Sequence, residues 1–210
     1  MSTKKLNLVY DGFIRGIGDR WDTTFDPTTD MAIPNSKLIE KEIIPRYVNR
    51  ALWQLFESIL LQVSGDVVKF ATIFPELVKR SDVITFSSGK YTLASPYLNM
   101  FALHGALGPN SKYIKILSED KLTIVESGRN RSYVFATDNP ALIKMNNALY
   151  IFPTTETTAY VNYIASPIDP LTGVPLVQNG ANDMDYGYHW IDKLSQIAVD
   201  LYNKAAQETV

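Results

Sequence analysis

The residues that could do chemistry are few. The chain has two histidines and no cysteine, so a thiolate nucleophile, a disulfide and a Cys-based zinc site are all excluded. His104 in "FALHGAL" and His189 in "YGYHWID" have no partner pattern of the kind a triad or metal site needs, and both read as ordinary structural or surface residues. Ser118-Glu119-Asp120-Lys121 fits the S-x-x-K pattern of penicillin-interacting enzymes. No S-D-N or K-T-G follows it, so it reads as a helix start. Gly12, Gly16 and Gly18 in "GFIRGIGDR" cluster as in a dinucleotide loop, yet the flanking strand and helix and the third fingerprint glycine are missing. Flexibility of an arm accounts for them better. Asp183 and Asp185 in "NDMDYG" have a calcium-like spacing, but the glycine falls one position early and Leu194 stands where the bidentate acid belongs. Carboxylates complementing a helix N-terminus are the simpler reading. The sequence therefore predicts no catalytic, cofactor-binding or metal-ligating residue, and a protein that is not an enzyme. The 12 tyrosines could stack bases or sugars, but without interleaved Arg and Lys they read as strand packing and subunit interfaces.

Whatever these residues do, the surrounding elements must place them. A chain of 210 residues with 46% apolar and 20% charged residues suits one globular domain, or one domain with an arm, burying roughly 70% of its unfolded surface. No apolar run approaches the roughly 20 residues of a membrane span, and "MSTKKLNLVYDGFIRG" has no long apolar segment or cleavage site, so neither a membrane partner nor a signal peptide is expected. A net charge of −2 argues against tight phosphate gripping, which needs a basic patch.

Residues 1–34 mix Gly, Asp, Thr and Pro with the isolated large apolars Leu8, Tyr10, Phe13, Trp21 and Phe25, and read as an extended N-terminal arm that orders on a surface. A single α+β domain is expected over 35–210. Its clearest helix carries Ile44, Val48, Leu52, Leu55, Ile59 and Val63 on one face, with Ser36 to cap it, Gly65 to end it, and Pro45 either in the first turn or at a kink. "DVVKFATIFPELVKR" reads as helix broken at Pro75, with β-branched Val67, Val68 and Ile73 leaving a strand open for its first half. "DVITF-SSG-KYTLASPYL" reads as two short strands around Ser-Ser-Gly, and "KYIKIL" and "SYVFAT" as strands, with a short helix inserted from Ser118 to Gly128. In "NPALIKMNNALYIFPTTETTAYVNYIASP", strands 141–145 and 148–152 pair around Asn146-Asn147. A third strand returns after Pro153 with Ala159, Val161 and Tyr163 on one face and Tyr160, Asn162 and Ile164 on the other, giving a three-stranded antiparallel meander. After a long loop the C-terminal helix presents Trp190 or Ile191, Leu194, Ala198, Leu201 and Ala205. Glu42–Arg46 and Asp200–Lys204 are acid-first pairs on solvated faces. The fold expected is α+β, with long N- and C-terminal helices packed together around a central antiparallel β region.

This order of elements resembles a known family. The stretches that carry the likeness are "SKLIEKEIIPRYVNRALWQLFESI", "YTLASPYLNMFAL", "KYIKILSEDKLTIVESGRNRS", the meander with Pro140, Leu149 to Pro153, Tyr160 to Tyr163 and Pro167, and "HWIDKLSQIAVDLYNKAAQE". Over roughly residues 35 to 207 the chain resembles the head-to-tail connector proteins (neck, adaptor or ring) of tailed bacteriophages, in particular crAss-like and other short-tailed phages. It departs from them in carrying Ala94-Ser95-Pro96-Tyr97 where relatives often show an acid before the tyrosine. The resemblance implies a non-enzymatic virion protein, made in the host bacterial cytoplasm and built into a homo-oligomeric, usually dodecameric, ring. The ring would be docked on the portal protein and carry a further neck or tail protein, with genomic DNA passing transiently through its lumen. It supplies no catalytic residue to transfer. Interfaces are expected at Tyr10, Phe13, Trp21, Phe25, Tyr160, Tyr163 and Trp190. The alternative from another class is a β-rich glycan- or protein-binding module of a virion or cell surface, using the tyrosine-bearing meander.

Overall fold

The strongest periodicity forms the longest helix. A computed structural model describes residues 5–17, 21–26, 31–34, 43–94, 97–128, 134–167, 184 and 186–208, with backbone alone for 21–26, 31–34 and 110. Helix α2 spans Ile43–Gln62, with Pro45 in its first turn, where the missing N–H costs nothing. All six residues expected on its apolar face are buried. The helix ends in a Schellman pattern, Gly65 N–H donating to Leu60 O at 2.9 Å and Ser64 N–H to Leu61 O at 3.0 Å. Ser64, at φ 54°, thus occupies the left-handed position, and Gly65 follows at φ 74°. Ser36, Glu42, Asp183 and Asp185 lie outside the described residues.

The chain divides into two compact units, Met1–Asp66 with Ser166–Val210, and Val67–Ala165. The expected boundary between 34 and 35 is not where the contacts divide it. The first unit holds α1 (Lys5–Gly16), β1 (Trp21–Asp26), β2 (Met31–Pro34), α2 and α5 (Ile191–Glu208). Residues 5–16 form a helix, which corrects the extended arm expected there. Leu6, Val9, Tyr10, Phe13 and Ile14 recur at three- and four-residue spacing and are all buried. Strands β1 and β2 form an antiparallel hairpin. Helix α1 packs on α5 and α2, and α2 packs on α5. Phe13, Tyr47 and Tyr202, one from each helix, have ring centroids 5.4 to 6.1 Å apart, a separation at which aromatic rings gain beyond area burial. The Tyr186 hydroxyl donates to Leu52 O at 2.9 Å, and Lys5 Nζ donates to Tyr186 O at 2.9 Å. The buried face of α5 is Leu194, Ser195, Ala198 and Val199, while Leu201 and Ala205 are only half-buried.

Gly12 and Gly16 are where α5 meets α1. A Cβ at Gly12 would lie 2.8 Å from Ser195 Cβ and nearer still to its Oγ, and one at Gly16 would collide with Val199 Cγ2. The Ser195 hydroxyl donates to Val9 O at 3.2 Å across the helix pair and also to Ile191 O at 2.9 Å. The glycines therefore permit close helix packing. This replaces the expectation of a flexible arm.

The second unit is built from two sheets on one core. Helix α3 (Val67–Ile73) and a 3-10 turn at Pro75–Leu77 lead into β3 (Val78–Arg80), β4 (Ile84–Thr85), β5 (Lys90–Thr92), β6 (Met100–Leu107) and β7 (Lys115–Leu117). Helix α4 (Leu122–Ser127), β8 (Ala141–Met145), β9 (Ala148–Phe152) and β10 (Thr158–Ala165) complete it. One sheet runs β5-β9-β8-β7; in the other, β10 pairs with β3 and β4 along one edge and with β6 along the opposite edge. The hairpin around Asn146-Asn147 has the expected register, Met145 opposite Ala148, with only Asn146 at positive φ, 49°. The third strand does not complete a meander. β10 leaves β9 and joins the other sheet. Nor is the β region wholly antiparallel, because β7 and β8 pair in parallel through the α4 crossover.

Leu142, Leu149 and Ile151 of the first sheet share a core with Leu103, Ala106, Ala159, Val161 and Tyr163 of the second. On the first sheet's other face, Ile143 packs with Leu122 and Val125 of α4. Strand β8 is buried on both sides, and its run of apolar residues reflects that. Ser81 interrupts the edge between β3 and β4 but keeps the ladder satisfied: its N–H donates to Val161 O at 2.8 Å and its Oγ accepts from Val161 N–H at 2.9 Å. Ser118 precedes the inserted helix without capping its backbone; its hydroxyl donates to the Asp120 carboxylate. Of "SYVFAT", the described residues form no strand beyond a single bridge at Ala136, and Val134 is exposed.

Candidate functional site

The outward face of β10 changes along its length. Antiparallel pairing places directly opposed residues on the same face, and the register sets two rows there. Arg80 of β3, Asn162 of β10 and Gly105 of β6 form one. Tyr160 of β10, Leu107 of β6 and Tyr113, bridged to Leu107, form the next. Their sequence neighbours Val161, Ala106 and Ile114 point inward to the core. Further along this face Ile164 is buried, in the part of the sheet where α3 packs on β6. Beyond it Tyr160 is 36% and Tyr113 68% exposed. Two inter-strand steps separate the backbones of these tyrosines by roughly 10 Å.

Among the described residues the polar groups on this face have no ion-pair partner. Arg80 Cζ stands 4.9 Å from the Tyr160 ring centroid, a stacking worth about 0.5–1 kcal/mol at an exposed site, and no carboxylate pairs with it among the described residues. Gly105 leaves the Asn162 amide open, a Cβ there meeting nothing nearer than 3.6 Å. Beside Gly105, the register of β6 slips by one residue against β10, making His104 the extra residue of a bulge. Its Nδ1 is buried without a hydrogen-bond partner. Ring faces, a guanidinium and an amide on a rigid sheet supply binding chemistry.

A second surface lies in the helical unit. Helices α1 and α5 border a groove of about 540 Å³. Gly12, Gly16, Ser195 and Val199, the residues of the close helix contact, line it together with Leu8, Ile191 and Tyr188. Three charges border it. Arg15 holds Asp11 through Nε–Oδ1 at 3.0 Å and Nη2–Oδ2 at 2.8 Å, which neutralises both. Asp192 has no ion-pair partner among the described residues. Tyr188 is 61% exposed, with Lys5 Nζ 5.8 Å from its ring centroid.

The residues expected at interfaces divide sharply. Tyr10, Phe13 and Tyr163 are buried in their own units and serve as core, which corrects their reading as interface residues. Tyr160 belongs to the exposed sheet face. Trp190 is half-buried, its ring tilted against that of His189 with centroids 4.9 Å apart, and Lys193 Nζ lies 5.5 Å from its centroid. Trp21 and Phe25 lie on β1, and their side chains fall outside the described residues. Arg80, Leu107 and Tyr113 share a face only through the pairing of β3 and β6 with β10, and Tyr188 reaches the groove only through the packing of α5 on α1, so no local sequence pattern marks them. The groups with shifted ionisation lie elsewhere. Burial depresses the Lys144 ammonium, with Glu119 acting against the shift; Lys121 and Ser118 hold Asp120 low; burial raises Tyr97, whose hydroxyl accepts from Asp82 N–H at 3.0 Å. Among the described residues no cluster of His, Asp or Glu could hold a metal ion, and no helix is long and apolar enough to cross a membrane. No family model and no curated protein matches the chain.

Proposed function

We propose that the chain is a structural protein of a bacteriophage virion, one of the subunits of a ring-shaped head-to-tail connector between portal and tail, with the genome passing through the ring. The observation that carries the reading is the order of elements. A long helix that begins with proline in its first turn leads into a β unit of two sheets, and a terminal helix returns to pack on the first. It is this order, with the proline-punctuated strands 141–152 and 158–165, that resembles the connector family. A second support is physical: a ring subunit must present two different surfaces that repeat around an axis until the rotation closes. The tyrosine-arginine face of the β unit and the α1–α5 groove of the helical unit are two such surfaces. A near-neutral chain, with net charge −2, also suits a wall past which DNA moves without being gripped.

The test is association with the portal. Purified chain is mixed with the portal ring of the same phage and examined by native mass spectrometry. The expected result is a portal-bound ring of this chain, dodecameric as in the family it resembles. Failure to associate with the portal, and with the next neck protein added in turn, would overturn the proposal.

A further inference from the structure

We infer that neighbouring copies of this chain meet heterologously, the Arg80–Tyr160–Tyr113 face of one copy seating on the α1–α5 groove of the next. The inference rests on the connector reading and names the contact that closes the ring. Three observations carry it. First, the charges complement each other: the sheet face offers a guanidinium with no carboxylate partner, and the groove offers Asp192, a carboxylate with no cation partner, both stated of the described residues. Second, the apolar parts match in kind. Tyr160 stands beside the guanidinium, with Leu107 and Tyr113 further across the same face, while Leu8, Ile191 and the exposed Tyr188 line the groove with the carboxylate. Tyrosine and arginine are, with tryptophan, the side chains enriched where desolvated contacts dominate interface energy. Third, the shapes differ. One surface is a sheet face with projecting side chains, and the other is a groove of about 540 Å³, floored where Ser195 and Val199 pack closely on Gly12 and Gly16. Two different patches on one chain make a head-to-tail contact, the kind that generates rings rather than two-fold dimers.

The experiment uses assembled particles. A photo-crosslinking amino acid replaces Tyr113, which is exposed and outside both cores, in phage propagated on a complementing host, and crosslinked peptides are identified by mass spectrometry from mixed light and heavy chains. The expected result is a mixed-isotope crosslink between position 113 and a peptide of α1 or α5. Charge reversal provides the second arm. Arg80→Glu and Asp192→Arg are each expected to lower the amount of chain per particle at least about tenfold, the effect of about 1.4 kcal/mol, and the double reversal to restore it. Crosslinks confined to another protein or to another segment of this chain, or a double reversal no better than the singles, would overturn the inference while leaving the connector reading intact. Particles that lack the chain altogether would overturn both.

Discussion

Replacing Gly12 with alanine tests the helix contact that floors the groove, because two opposing effects predict opposite signs. In an open helix, Gly→Ala stabilises by about 1 kcal/mol through backbone entropy and helix propensity. At Gly12 the new methyl would lie 2.8 Å from Ser195 Cβ and closer to Oγ. Neither atom can swing away, since the Cβ is fixed to the α5 backbone and the hydroxyl is bonded to Val9 O and Ile191 O. Overpacking of a fixed contact costs about 1–3 kcal/mol, and separating the helices also forfeits the 3.2 Å bond to Val9, about 1 kcal/mol more. The net expectation is a loss of about 1–3 kcal/mol. Urea unfolding followed by far-UV circular dichroism reads it directly. Combining Gly12→Ala with Ser195→Gly should recover much of the loss, a coupling of about 1 kcal/mol or more between touching residues. A stabilised Gly12→Ala variant, or strict additivity in the double variant, would refute the close packing of α1 on α5.

Three further predictions address other elements. Ser64 takes the left-handed position at the end of α2 with φ 54°, so Ser64→Gly should stabilise the chain by up to about 1 kcal/mol, read as a rise in the urea midpoint. Ser81→Ala removes the acceptor of Val161 N–H, a buried bond of 2.9 Å, and should cost about 1–3 kcal/mol; hydrogen exchange at Val161 should accelerate while amides of the helical unit stay protected. Burial pushes the Tyr10 phenol from 10.0 up to about 12. Between these values the unfolded chain has already lost the proton that the folded chain keeps, so stability is flat below pH 10 and falls as pH rises toward 12. The fall amounts to about 3 kcal/mol for a shift of two units, and Tyr10→Phe should abolish that share of the alkaline loss in a pH series of unfolding curves.

How far the fold is legible in the sequence depends on how local the deciding physics is. The buried face of helix α2 is legible, because six apolar residues at helical spacing determine it without help from distant residues. The same is true of the β8–β9 hairpin, whose two-residue turn sets its register. Helix α1 has equally good spacing from Leu6 to Ile14, but Asp11, Gly12 and Gly16 lower its intrinsic propensity. The glycines answer to α5, more than 180 residues away in the chain, and that demand is invisible in a local window. Strand β6 hides for a related reason: "MFALHGAL" contains no β-branched residue, and its strand state comes from pairing with β10 along its length. The destination of β10 is also non-local, since nothing near Pro153 says which sheet it joins. The candidate surfaces share this limit. Tyr160 can be placed on an outward face from alternation alone, but its neighbours Arg80, Leu107 and Tyr113 reach it only through register between strands distant in sequence. Tyr10, Phe13 and Tyr163 look like anchors for a partner in the sequence, yet each finds its partner within its own unit.

Cryo-electron microscopy of the virions in which this chain is the proposed connector subunit tests that proposal most directly. The expected density is a closed ring of this chain between portal and tail, with genomic DNA on its axis. A neck whose every ring is accounted for by other proteins would contradict it.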